Sequence, residues 1–244
     1  AKWTCIMSSA ARPSVLRNMI GYKGKITVMA RYPLEKTSSV PEHKFLTPQS
    51  FWDERARGIG GTIGHPTSSC AEENVLCDAG DRYRGECIAI HEFAHTISLL
   101  SGNTTFLDRL ENLYKAAMSK KLWANTYAET NSQEYWAEGV QSWFDCNLHR
   151  DVADGNHGPI SNRMAVKNSD PELAGLITDF FGDGPIRYQC PSNGPTDLPT
   201  STSTSSSTSR TTTSPTGTDT ATPTTTSSTG TNTATPSTTS STTS

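Results

Sequence analysis

The chain has 244 residues, 33% of them apolar, and 21 basic against 24 acidic side chains give a net charge of −3. No field of positive charge invites nucleic acid, no apolar run approaches the roughly 18 residues of a membrane-spanning helix, and no Gly-rich phosphate loop opens a helix to support nucleotide chemistry. The apolar residues are unevenly shared. From Thr196 to Ser244, 36 of 49 residues are Thr or Ser, and only Leu198, Ala221 and Ala234 are apolar, too few to offset the entropy of ordering that stretch. One folded domain over residues 1–192 is therefore expected, followed by a disordered Thr/Ser/Pro-rich tail over 193–244 carrying O-linked sugars.

In chain order, Arg12 to Ile20 reads as a short helix and Lys25 to Arg31, β-branched and nearly alternating, as a strand. Pro33 to Pro48 is loop-like. Thr47 and Pro48 look like the cap and first residue of a helix carrying Phe51, Trp52 and Arg55. Gly58, Gly60, Gly61 and Gly64 then interrupt the chain. Between them, Ile59 to Ile63 reads as a short edge strand where glycine lets another backbone approach. His65 to Arg84 reads as irregular, stapled by Cys70 or Cys77. Helices follow. Glu86 to Leu100 is apolar nearly all round and should be a buried central helix. Phe106 to Leu122 repeats apolar residues at helical spacing and ends in Lys120 and Lys121. Ser132 to Leu148 turns Tyr135, Trp136, Val140, Trp143 and Phe144 inward, and Pro171 to Phe181 is a last helix stopped by Gly182 and Gly184. Several helices and few strands, without alternation of the two, predict an α+β domain.

Six cysteines, Cys5, Cys70, Cys77, Cys87, Cys146 and Cys190, are an even set that fits three disulfides and an oxidising compartment. No Cys-x-x-Cys pair supports the rival reading of a cysteine-bound metal. Cys146 with Cys190 is the preferred pairing, since it would fasten the last segment to a helix end. Asn103-Thr104-Thr105 is a glycosylation sequence that agrees with export. A secreted glycoprotein is expected, with the tail as the part that would associate it with a cell wall or surface.

The central helix carries His91-Glu92-Phe93-Ala94-His95. Histidines four apart share one helix face and can reach one metal ion, while Glu92 leans into the same site without binding it, placed to act as general base on water. With six His and twelve Glu in the chain, such a match arises by chance about 0.007 times. Two unpartnered imidazoles on a buried helix would be costly, which argues against an idle pair. A catalytic zinc needs a third protein ligand and one open position. A histidine six residues beyond His95 would serve, but Ser98 and Ser101 stand where the extended motif needs Gly and His. The downstream helix offers Glu134 and Glu138, also four apart, among aromatic residues that should bury them against the first helix. Like charges there need a cation or donor. Either Glu134 is the ligand and Glu138 accepts the free N–H of a ligand histidine, or the two exchange roles.

The His-Glu-Phe-Ala-His helix, followed some forty residues later by Tyr127-Ala-Glu-Thr-Asn131-Ser-Gln-Glu134-Tyr-Trp-Ala-Glu138, resembles the catalytic domain of anthrax lethal factor and the related Pro-Pro endopeptidases. The resemblance covers roughly Gly58 to Leu148. It implies a zincin-like metallopeptidase with a buried metal-binding helix and a small sheet, and one Zn²⁺ per chain held by His91, His95 and Glu134. It also implies Glu92 as general base and Tyr127 as the group that stabilises the oxyanion. The disulfides and the tail depart from the bacterial members, so substrate preference does not carry over.

The expected activity is that of a secreted, monomeric zinc endopeptidase acting on a protein or peptide, with Gly60, Gly61 and Thr62 as the backbone edge that pairs with the substrate. A catalytically silent extracellular binding or matrix protein, or a zinc hydrolase acting on a non-peptide amide, are the alternatives. His43, His65, His149 and His157 belong to no motif and read as surface or loop histidines.

Overall fold

The computed structural model describes residues 7–185, all within one compact unit; the predicted tail and its boundary at 193 lie outside them. Helix α1 (Pro13–Gly21) begins at a proline whose missing N–H is harmless in a first turn, and it buries Val15 and Met19. Strand β1 (Lys25–Met29) follows. The loop-like segment holds single helical turns at Thr37–Ser39 and Pro41–His43. Helix α2 (Gln49–Arg55) starts one residue later than the Thr47–Pro48 signal suggests. Pro48 is itself the cap, after a cis peptide bond, and no side chain caps the helix. Strands β2 (Gly58–Ile59) and β3 (Thr67–Ala71) and the short helix α3 (Glu72–Val75) complete the first half.

The three strands form one sheet in the order β1-β3-β2. β1 runs parallel to β3, pairing Lys25 with Thr67 and Met29 with Ala71, while β2 runs antiparallel, pairing Gly58 with Cys70 and Ile59 with Ser69. The middle strand therefore lies within the segment expected to be irregular. Thr67-Ser68-Ser69-Cys70-Ala71 has one β-branched residue, Thr67, and no alternation, yet every one of its residues is buried. Small side chains there let a helix and a loop close on both faces, a demand that tertiary packing sets and strand propensity does not register.

The second half is helical: α4 (Ile88–Leu99), α5 (Thr104–Ser119), α6 (Ser132–Trp143), α7 (Arg163–Ser169) and α8 (Pro171–Phe181). Among them α7 was not expected. Asn103, exposed, caps α5 by accepting from Phe106 N at 3.1 Å. α4 and α6 pack as the central pair, and the buried Trp136 indole donates to Ala94 O at 2.9 Å. Phe106, Phe180 and Phe181 surround its ring at 5.0, 5.4 and 6.0 Å between centroids. Gly139 lets α8 approach α6, since a Cβ there would lie 2.5 Å from a Leu173 methyl. The fold among the described residues is α+β with a small three-stranded sheet, as expected. None of its helices is long and apolar enough to cross a membrane.

The cysteine reading needs correction. Cys70 and Cys146 are buried free thiols, Cys70 as a core residue of β3 and not as a staple. Burial, reinforced by nearby Cys87, pushes the Cys70 thiol up to about 12 and raises that of Cys146 well above its usual range. Three disulfides from six cysteines therefore do not form, and Cys146 lies against Cys87, whose N–H donates to Cys146 O at 3.0 Å. Cys77 is not a free thiol, and Cys5 and Cys190 lie outside the described residues.

Glu73 and Arg57 join α3 to the segment before β2 through two hydrogen bonds of 2.7 and 2.9 Å, their side chains only 11% and 9% exposed. Burial works against the Glu73 charge, but Arg57 outweighs it and holds the carboxyl below its ordinary 4.5. A depressed folded value contributes stability above the unfolded value that is lost as pH falls through the folded one. Glu73→Gln should therefore cost about 3 kcal/mol near pH 7, because it leaves Arg57 buried without a counter-charge. The gap to wild type should narrow as the pH drops from 5 to 3. Urea unfolding at several pH values checks this, and a pH-independent gap would refute it.

Candidate metal centre

α4 is built to be buried. Ala89, Ile90, Phe93, Ala94 and Ile97 are core residues, and no side chain of the helix caps its start. A remote residue does so instead: Asn74 Oδ1 accepts from Ile88 N at 2.8 Å, while its Nδ2 donates to Asp81 and to Glu86 O. α6 opens on Asn131, whose Oδ1 accepts from Gln133 N and Glu134 N, both at 2.9 Å. That cap fixes Glu134 in the first turn, where the helix dipole favours a carboxylate.

These two helices bring together His91, His95 and Glu134. His91 Nε2 and His95 Nε2 lie 3.2 Å apart, and Glu134 Oε2 lies 3.1 and 3.2 Å from them. The three atoms form a nearly equilateral triangle. A tetrahedral ion bound at about 2.0–2.1 Å would separate its ligand atoms by about 3.3 Å, so the residues present fit zinc without rearrangement. Both histidines are nearly buried, at 6% and 9% exposure, which rules out an idle surface pair. Burial opposes a charge on His91, but the carboxylates of Glu134 and Glu138 outweigh it and raise the imidazole well above its ordinary range. Burial likewise opposes the Glu134 charge, and the two histidines hold that carboxyl far below the usual range. Together these shifts describe a pocket in which negative charge and imidazole nitrogen face each other at close quarters.

Distance separates the two carboxylates that helical spacing leaves alike. Glu138 Oε1 lies 3.2 Å from His91 Nδ1, the ring nitrogen away from the triangle, and its Oε2 accepts from Asn147 Nδ2 at 2.8 Å. It stands behind His91 and outside the triangle. Gln141 Oε1 is also 3.2 Å from His91 Nδ1. Gln141 belongs to neither motif, yet its place seven residues after Glu134 and three after Glu138 puts it on the same helical face.

Glu92, half-buried, makes no side-chain hydrogen bond among the described residues. Burial pushes its carboxyl up, with Glu134 reinforcing and His91 and His95 opposing. Tyr127 begins a helical turn, Tyr127–Glu129, tied down by its N–H to Asn156 O at 2.8 Å. Its ring stacks on His91 at 6.2 Å, and its hydroxyl is 3.4 Å from Glu134 Oε1. Burial and the Glu134 charge raise the phenol above its ordinary value, with Arg55 opposing.

The glycine segment lies directly on α4. A Cβ at Gly58 would fall 2.8 Å from Glu92 Cγ, and one at Gly60 would fall 2.7 Å from His95 Cβ. Strand β2 ends at Ile59. Gly60 and Gly61 continue beyond it, the N–H of Gly61 is donated to Thr96 Oγ1 at 2.8 Å, and Thr62 is exposed. Because His95 Cβ belongs to the helix and cannot swing aside, Gly60→Ala should destabilise the protein by about 1–3 kcal/mol and displace His95. Gly64→Ala, with nothing within 4 Å of the added methyl, should change little. Thermal melts of the two variants check this, and equal melting temperatures would count against the close approach.

Of the four histidines outside the motif, His43 is misread as a surface or loop residue. It is 1% exposed and its Nε2 meets Ser69 Oγ at 2.9 Å, packed against the small side chains of β3. His65 is exposed and stacks on Phe45, His149 is exposed, and His157 is half-buried beside Glu86.

No protein-family profile matches the sequence, and no curated protein matches it. The fold is similar to a solved structure of a Pro-Pro endopeptidase from Paenibacillus alvei, with 16% identity, 70% of this chain and 84% of that chain covered, and a TM-score of 0.46.

Proposed function

We propose that this chain is a secreted zinc-dependent endopeptidase. The observation that carries the reading is the triangle of His91 Nε2, His95 Nε2 and Glu134 Oε2, with edges of 3.1–3.2 Å on two buried helices. When bound there, zinc would lower the pKa of a water molecule and polarise the scissile carbonyl. The remaining work falls to side chains of the protein. Glu92 receives a proton from the attacking water at its carboxylate and delivers it to the leaving amine nitrogen, a role suited to a carboxyl whose value burial has raised. Tyr127 donates its O–H to the carbonyl oxygen as negative charge gathers on it. Glu138, 3.2 Å from His91 Nδ1, and Gln141 Oε1 at the same distance keep the ring proton on that nitrogen and so leave the Nε2 lone pair free to face the site. The outer edge of β2, beside Glu92, is where an extended peptide would pair. Asn103, exposed at the start of α5, carries N-linked sugar in this reading.

A proteome-derived peptide mixture incubated with the zinc-loaded chain tests the proposal. Cleavage abolished by a chelator and restored by Zn²⁺ is expected. A chain that holds one zinc and cleaves no peptide, or one whose cleavage ignores the chelator, would end it.

A further inference from the structure

Arg55 is the last residue of α2, is exposed, and places Nη2 3.2 Å from the Tyr127 hydroxyl across 72 positions of sequence. Its main chain is held from outside. Arg55 O accepts from Arg82 Nη2 at 2.6 Å and from the Tyr83 hydroxyl at 3.0 Å, and Glu54 O accepts from Arg82 Nη1 at 2.8 Å. Arg82 is in turn fixed over the Tyr83 ring at 4.7 Å. The carbonyls that end a helix have no partner within it, and here two neighbouring side chains supply their donors. The Arg55 guanidinium has no such tie. Arg31, Arg57, Arg109, Arg150 and Arg163 each pair with a carboxylate, whereas the only hydrogen bond of the Arg55 side chain among the described residues goes to Tyr127.

The chemistry of that contact has one direction. A guanidinium has five N–H donors and no acceptor, so the phenol oxygen of Tyr127 must accept. The single hydrogen of Tyr127 then has to be donated elsewhere, and the next oxygen within reach is Glu134 Oε1 at 3.4 Å, on the side of the metal triangle. The geometry points to Arg55 as a positioning residue: by donating to the Tyr127 phenol oxygen, it directs the Tyr127 O–H toward the carbonyl oxygen of the substrate. This assignment rests on the peptidase reading above. It differs from capture of a substrate carboxylate by an unpaired cation, which would act on binding alone.

The test uses the zinc-loaded full chain and a peptide that it cleaves. Arg55→Met keeps most of the aliphatic stem and removes all five donors. It should lower kcat about 10-fold and leave KM within about twofold, while Tyr127→Phe lowers kcat about 100-fold and the double variant falls no further than Tyr127→Phe. Zinc content and melting temperature should match wild type. A rise in KM with kcat unchanged would assign Arg55 to substrate binding and overturn the proposal, as would losses that multiply in the double variant. If the wild-type chain holds zinc but cleaves no peptide, the peptidase reading fails by itself. The position of Tyr127 in crystals of zinc-loaded Arg55→Met then decides: a hydroxyl displaced from its wild-type place supports the positioning role, and an unmoved one overturns it.

Discussion

Glu92→Gln is expected to reduce kcat/KM for peptide cleavage by about a thousandfold while zinc content stays near one per chain. The substitution is close to isosteric, so the packing of the side chain against Gly58, where an added methyl would fall 2.8 Å from Glu92 Cγ, survives. None of the three atoms in the metal triangle belongs to Glu92, and no side-chain hydrogen bond is broken among the described residues. The fold should not suffer either, since burial disfavours the charge that is removed. What disappears is the ability to take up a proton beside the metal, because an amide oxygen is far too weak a base for that task. Metal analysis by mass spectrometry and steady-state kinetics on one peptide separate the possibilities. Activity above about a tenth of wild type would remove Glu92 from the base role, and a parallel loss of zinc would make it a structural support of the site.

Much of this site could be read from sequence because its parts are local. His91 and His95 are one helical turn apart, and so are Glu134 and Glu138, so spacing alone places each pair on one face. Which carboxylate meets both imidazoles is not local. It depends on how α6 is rotated against α4, which the buried Trp136 indole on Ala94 O helps to set. The contact of Arg55 with Tyr127 was out of reach for the same reason, since it exists only once α2 and the segment before α6 have come together. Strand β3 escaped because its mostly small residues carry little strand signal, and they are small because α4 and the His43 turn lie against them. Cys70 and Cys146 mislead in a similar way. Parity of the six cysteines suggested pairing, but both sit in core positions where a neutral thiol packs like a small apolar side chain.

Separating the two carboxylates of α6 gives the second large effect. Glu134→Ala removes an atom that lies 3.1 and 3.2 Å from both imidazole nitrogens of the triangle, leaving two protein ligands where a stable catalytic zinc site needs three. Zinc affinity should fall by more than the roughly 10–100-fold that loss of a group behind a ligand causes, and activity should vanish with it. Glu138→Gln should fall within that smaller range. Glu138 Oε1 lies 3.2 Å from His91 Nδ1, and its Oε2 accepts from Asn147 Nδ2. A glutamine can accept at only one of these places, and its NH₂ would meet a donor at the other. The damage is limited because Gln141 Oε1, also 3.2 Å from His91 Nδ1, remains as an acceptor for the ring. Competition titration against a chromogenic chelator ranks the two variants directly. Should Glu138→Gln abolish zinc binding while Glu134→Ala preserves it, their roles are exchanged, and the triangle seen here is not the one that holds the ion.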